Sequence, residues 1–138
     1  MSVGPPAFLD PLQLELVQEP RTLWGRPVWR LQARLRFASE VLGRVIEVPA
    51  EFVTDLSSVP RTPLAWFLAG GTASAAAVIH DWLYSVGDGS RRDADHVLWE
   101  AMRATRVPLW RAWLIYRAVR LGGWAAWRKH RRGETPAA

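Results

Sequence analysis

Three polar clusters stand out against apolar surroundings. The first is Thr54-Asp55-Leu56-Ser57-Ser58-Val59-Pro60-Arg61. The second is His80-Asp81, inside a segment otherwise made of Ala, Val, Ile, Trp and Leu. The third is Arg91, Asp93, Asp95 and His96. An imidazole facing a carboxylate is a general-base arrangement, because the acid fixes the ring tautomer and stabilises the imidazolium that forms. His80 and Asp95 are the candidate catalytic pair. Asp81 lies about 100° around a helix from His80 and looks toward a neighbouring surface. If the 54–60 loop lies there, Asp55 and Asp81 share a hard cation, with loop carbonyls completing the all-oxygen shell that calcium prefers. Such an ion polarises an ester carbonyl and stabilises its oxyanion.

The elements that position these groups are read from periodicity. Leu12, Leu14 and Leu16 alternate with Gln13 and Glu15, so 12–18 reads as a short half-buried strand. Residues 28–37 give the clearest period of two: Leu31, Ala33, Leu35 and Phe37 face one way, Arg30, Gln32, Arg34 and Arg36 the other. Val41–Val48 is a third strand closed by Pro49, with turns at 23–27 and 38–40. One small antiparallel sheet therefore spans 12–53, after an N-terminal arm at 1–11. The loop 54–63 is the candidate metal loop, with Pro60 and Pro63 stiffening it and one short turn at Leu64–Leu68.

The helical part covers 72–130. Thr72 is placed to cap a helix running to about Ser85, broken by Gly87 and Gly89. Ser90 and Asp93 form a capping-box-like start for a second helix that reaches about Thr105. About four residues join the two, so they pack antiparallel and bring His80 and Asp95 to similar heights. Pro108 opens a third helix, 108–121 or longer, with Gly122-Gly123 as a kink or end, and 133–138 as a frayed tail. Sheet first and helices afterwards make a single α+β domain over 1–138.

Composition bounds the chemistry. The chain has 138 residues, 49% of them hydrophobic and 22% charged, which suits one domain with a core. Without Cys, disulfides, thiolate metal sites and cysteine nucleophiles are excluded. A His-Asp metal phosphohydrolase needs a further His upstream of His80, and none precedes it. The N-terminus lacks a basic, apolar leader, and no apolar run reaches membrane-spanning length, so a cytosolic product is expected.

The charge is divided. Residues 1–102 hold 9 basic and 12 acidic side chains, residues 103–138 hold 9 basic and 1 acidic. A cationic end on a mildly acidic body points to an anionic partner surface. On a helical wheel Leu114, Ile115, Ala118, Val119 and Leu121 share the face expected to pack on the domain. Arg117, Arg120 and Arg128 fall opposite, with Trp113, Trp124 and Trp127. That side suits either a phospholipid membrane surface or docking to a partner protein. No motif for sequence-specific nucleic-acid binding accompanies it.

The strings FVTDLSSVPR, AAVIHDWLY and RRDADHVLWEAM, in this order and spacing, resemble a family of small, mostly phage and prophage proteins catalogued as domain of unknown function 1353. The likeness spans roughly residues 10–125, and it implies a product in the host cytoplasm or associated with a virion, with other virion proteins or further copies in a particle as partners. A more distant likeness is to bacterial and fungal secreted phospholipases A2, with their calcium loop, His-Asp-x-x-Tyr helix and following Asp-bearing helix. That likeness implies a phospholipase A2-like helical hairpin. It implies Asp55, the Leu56 carbonyl and Asp81 as calcium ligands, His80 as base, Asp95 as its partner and Tyr84 as the family tyrosine. Ser57, Arg61 and Arg91 would support the site. The chain departs from those enzymes in having no Cys, no Gly in the loop and a shorter hairpin connection.

Each residue also has a structural reading. His80 with Asp95 is equally a satisfied buried histidine. Asp55 with Ser57 and Ser58 suits turn capping. Arg61 can pair with an acid at the sheet edge, and Asp93 can be only a cap. Arg91 and Arg92 suit a solvated helix start, although cations there oppose the helix dipole, which hints at another task. Two functions stay open: a calcium-assisted ester hydrolase of phage or prophage origin acting at membranes, and a non-enzymatic tail or neck component keeping the hairpin as scaffold.

Overall fold

The structure is a computed structural model that describes residues 4–20, 27–56, 73–87 and 89–131. Its elements are β1 (Ala7–Phe8), β2 (Leu14–Gln18), β3 (Val28–Leu31), β4 (Leu35–Ser39), β5 (Arg44–Val48), β6 (Val53–Thr54), α1 (Ser74–Val86), α2 (Arg91–Ala104) and α3 (Leu109–Arg131). The architecture is α+β. Among the described residues, two three-stranded antiparallel sheets, ordered β1-β4-β5 and β2-β3-β6, precede three helices.

The expected single sheet is two sheets, and the expected strand 28–37 is two strands. The chain bends at 32–34 and passes from one sheet to the other. Leu31, Leu35 and Phe37 all reach the core despite the bend, so the alternation runs on unbroken through it. The 1–11 segment is not wholly an arm. Ala7 and Phe8 pair with Ala38 and Phe37, and the Asp10 carboxylate grips the Arg36 guanidinium through two bonds of 2.9 and 3.0 Å. That pairing holds Asp10 below the ordinary carboxylate value, the Arg36 side-chain bond being the largest cause. The turn expected at 38–40 begins two residues later, since β4 includes Ser39, and runs to Gly43, so the strand expected at Val41–Val48 is only Arg44–Val48; Gly43 supplies the positive φ of 66° that lets the chain reverse.

Leu31, Leu35, Phe37, Ile46 and Val48 form the sheet side of the core. Ile79 and Leu83 of α1, Val97, Leu98 and Met102 of α2, and Ile115 and Val119 of α3 close over them. Buried Glu100 ties α2 to the β4–β5 turn: its carboxylate accepts from the Ser39 hydroxyl at 2.7 Å and from the backbone N–H groups of Glu40 and Val41 at 2.6 and 3.1 Å. Three bonds satisfy a carboxylate that would otherwise be costly to bury.

The helix ends follow local chemistry. Helix α1 is Ala-rich, which favours helix, and stops where Gly87 takes a left-handed φ of 65° and donates to the Leu83 carbonyl. The Thr72 cap, the Leu64–Leu68 turn, the stiffening prolines and the frayed 133–138 tail lie outside the described residues. Helix α2 begins at Ser90, whose hydroxyl accepts from the Asp93 N–H at 3.0 Å. It ends with Val107 N–H on the Met102 carbonyl and Arg106 N–H on the Arg103 carbonyl, which is the Schellman pattern with Arg106, not Gly, at φ 60°. Helix α3 passes Gly122-Gly123 and continues to Arg131, so the expected end of the helix there is corrected.

Candidate functional site

His80 sits mid-way along α1 and Asp95 one turn into α2. The short 87–90 connection folds these helices antiparallel and sets His80 Nε2 2.7 Å from Asp95 Oδ1. Tyr84, one turn after His80 on the same face, donates its hydroxyl to the same Asp95 oxygen at 2.7 Å. The His80 and Tyr84 rings lie against each other with centroids 4.2 Å apart.

The other Asp95 oxygen is held by cations. Arg120 of α3 donates to Oδ2 at 2.7 Å and Arg91, four residues back on α2, at 3.3 Å. Asp95 is fully buried and His80 is 3% exposed, so four donors converge on one carboxylate away from water. Burial alone pushes the Asp95 carboxyl up, but the bonds from His80, Tyr84 and Arg120 outweigh it and hold the group below its ordinary value. Burial and the Asp95 charge push the Tyr84 hydroxyl well above the usual phenol range, so it stays a donor.

Arg91 has a second task. Its guanidinium also donates to the carbonyls of Val119 and Arg120, at 3.2 and 3.4 Å. These contacts reach α3 just before its glycine pair. Gly123 is where Tyr84 and Arg91 come closest: a Cβ there would stand 2.5 Å from the Tyr84 hydroxyl oxygen and 3.3 Å from an Arg91 nitrogen. Gly123 therefore gives room to the polar centre while α3 continues. Further along, Trp127 meets the Tyr84 ring edge-on at 5.3 Å, and Arg131 donates to the Tyr84 carbonyl at 2.6 Å.

Two residues expected on the outer face of the third helix thus turn inward. Arg120 pairs with Asp95, and Trp127 packs on Tyr84. The cause is non-local: Asp95 and Tyr84 attract them from other helices. Conversely, Leu114, Ala118 and Leu121, expected to pack on the domain, are exposed, the buried face being Ala112, Ile115 and Val119. Trp113, Arg117, Trp124 and Arg128 are exposed as expected.

The Asp55 segment starts where β6 ends. Thr54 donates its hydroxyl to Asp81 Oδ2, and the Leu56 N–H donates to the same Thr54 oxygen at 3.0 Å. Leu56 adopts a positive φ of 56°. Asp81 is therefore anchored at the mouth of the loop that carries Asp55. His130, near the end of α3, senses that loop: burial, Arg131 and Lys129 hold its imidazole below the ordinary value, while Asp55 acts the other way. Ser57 and Arg61 lie outside the described residues. Among the described residues no group of three or more His, Cys, Asp or Glu side chains is gathered as a metal shell. The carboxylates of Asp81 and Asp55 and the Leu56 carbonyl are hard oxygen donors, a chemistry that fits calcium and no soft metal.

The sequence reading missed Arg120 as a partner of Asp95 and Thr54 as the anchor of Asp81. A signal existed for Arg91, a cation at a helix start where the dipole opposes it. None was available for Arg120, which stands 25 residues from its acid.

Fold and site together define a small α+β domain whose three helices are knotted by one buried His-Asp-Tyr-Arg centre. Residues 29–119 match the family described as Protein of unknown function (DUF1353), and the chain belongs to it. No curated protein and no solved structure matches the chain.

Proposed function

We propose that this protein is a phospholipase A2-like ester hydrolase, with His80 as general base. The observation that carries the reading is the contact of His80 Nε2 with Asp95, shared with Tyr84 from the same helix face. With Nε2 given to the carboxylate, Nδ1 is the nitrogen that takes the proton from a water attacking the ester. Asp95 holds the ring in that tautomer and offsets the imidazolium charge as it forms. Tyr84, Arg91 and Arg120 hold the carboxylate itself still. General-base assistance of this kind contributes about 10²–10⁴-fold. Asp55, the Leu56 carbonyl and Asp81 are the residues that would hold calcium, which when bound supplies positive charge for a developing oxyanion. A phage or prophage origin accords with the family likeness of the motifs.

The test is fatty-acid release from phospholipid micelles by the intact protein, with calcium and with chelator. Calcium-dependent release that is lost in Asp81→Asn supports the reading. Its absence in the wild type under both conditions refutes it.

A second reading has its own observation. His80 is 3% exposed and both Asp95 oxygens are already satisfied by donors from three helices. A knot of this kind also suits a non-enzymatic tail or neck component that uses the hairpin as scaffold. That reading expects no calcium effect on melting and unchanged assembly in Asp81→Asn, because a ligand that binds only the native state must raise its stability.

A further inference from the structure

We propose that the outward face of α3 is a docking surface for an anionic phospholipid bilayer, on which the helix lies flat. The inference deepens the hydrolase reading by naming the surface that meets the substrate phase, and its own evidence is independent of His80.

Helix α3 has two apolar faces where a domain helix needs one. Ala112, Ile115 and Val119 are spent on the core. On the opposite side Trp110, Trp113, Leu114, Leu121 and Trp124 are all exposed, Leu121 at 73%. At 100° per residue these five fall within an arc about 100° wide, and 110–128 extends about 27 Å along the axis. Arg117 and Arg128 occupy the same arc. Their guanidinium carbons stand 5.3 Å from the Trp113 ring centre and 5.0 Å from the Trp124 ring centre. Each cation is thus already seated on an indole.

Charge selects the occupant. Residues 109–131 contain six Arg or Lys and no acidic residue. One of them, Arg120, is committed to Asp95, and Arg131 to the carbonyl of Tyr84. Of the remaining four, Arg117 and Arg128 lie on the exposed arc, where their own helix offers no acidic residue to pair with them. Nucleic acid would match the cations but leave Leu114 and Leu121 in water. The interfacial layer of a bilayer meets both needs, since phosphates and acyl chains lie at adjacent depths and Trp settles between them. No helix among the described residues is long and apolar enough to cross a membrane, which fits a helix lying in the plane.

The experiment is sedimentation of the full chain with phosphatidylcholine vesicles, with and without phosphatidylglycerol, read beside the blue shift of Trp emission. Wild type should bind the anionic vesicles, and binding should fall as salt rises. Arg117→Gln and Arg128→Gln should each weaken it about fivefold. Trp113→Ala with Trp124→Ala should weaken it at least about tenfold while far-UV circular dichroism stays unchanged, as both indoles are exposed. His80→Ala should bind like wild type, so loss of hydrolysis and loss of docking are separable. Equal binding by the double Trp variant, or no binding of anionic vesicles at low salt, overturns the proposal. So does a dimer, or a duplex-DNA complex stronger than the vesicle complex, that the double Trp variant abolishes.

Discussion

Replacing Asp95 by Asn removes one charge from a centre that holds three helices. The isosteric amide can still accept from His80 and Tyr84 through its oxygen. Its NH2 group then faces Arg91 and Arg120, donor against donor. A hydrogen bond to a charged group contributes about 1.5–3 kcal/mol. The Arg120 bond at 2.7 Å belongs in that range, and the longer Arg91 bond at 3.3 Å below it. Their side chains are 31% and 20% exposed, so both cations recover some hydration and the sum must be reduced. The expected loss is about 2–4 kcal/mol, or a drop of roughly 6–12 °C in Tm for a chain of this size. Urea denaturation followed by far-UV circular dichroism measures it, with m unchanged. The cycle with Arg120→Met isolates the pair and should give a coupling of about 1–2 kcal/mol. A loss under about 1 kcal/mol, or single changes that add to within about 0.5 kcal/mol, would refute the claim that this carboxylate ties α3 to the hairpin.

Other outcomes follow from the same contacts. Arg106→Gly should stabilise the protein by about 0.5–1 kcal/mol, because Arg106 occupies a left-handed position that a Cβ disfavours; denaturant midpoints check this. Gly123→Ala should destabilise by about 1–3 kcal/mol, since its Cβ would press on the Tyr84 hydroxyl, and the companion Gly122→Ala, with open space around it, should be neutral or stabilising. Asp95 titrates below its ordinary value in the folded state, so its contribution is fully present above the unfolded carboxylate value near pH 3.9. It is lost as pH falls from there through the folded value. Acid unfolding of wild type should therefore be steeper below about pH 4 than that of Asp95→Asn, and parallel curves would count against the charged knot.

Local signals revealed the hairpin. A four-residue connection between two periodic helices is enough to place His80 opposite Asp95, because rigid rods of known rise leave little freedom. The α+β order was legible for a similar reason, since the period of two gives way to helical spacing after residue 60. The break at 32–34 was not legible. Alternation reports which side chains face a core, and Leu31 and Leu35 face the same core from different sheets. Gly122-Gly123 misled because propensity is a local term, whereas the contacts of Arg91, Tyr84 and Arg131 with α3 come from distant residues. Arg120 misled likewise: a wheel drawn on the helix alone does not contain the buried acid that turns it inward. Ala7–Phe8 and Val53–Thr54 are two-residue strands, too short to carry a period at all.

The proposed hydrolysis needs His80, oriented by Asp95, to take a proton. Fatty-acid release from phosphatidylglycerol vesicles in calcium, compared between wild type and His80→Ala at equal protein and equal vesicle binding, tests it most directly. Wild type should release fatty acid, and the variant should be slower by at least about 10²-fold, with the fold retained. Equal release by the two proteins would contradict it.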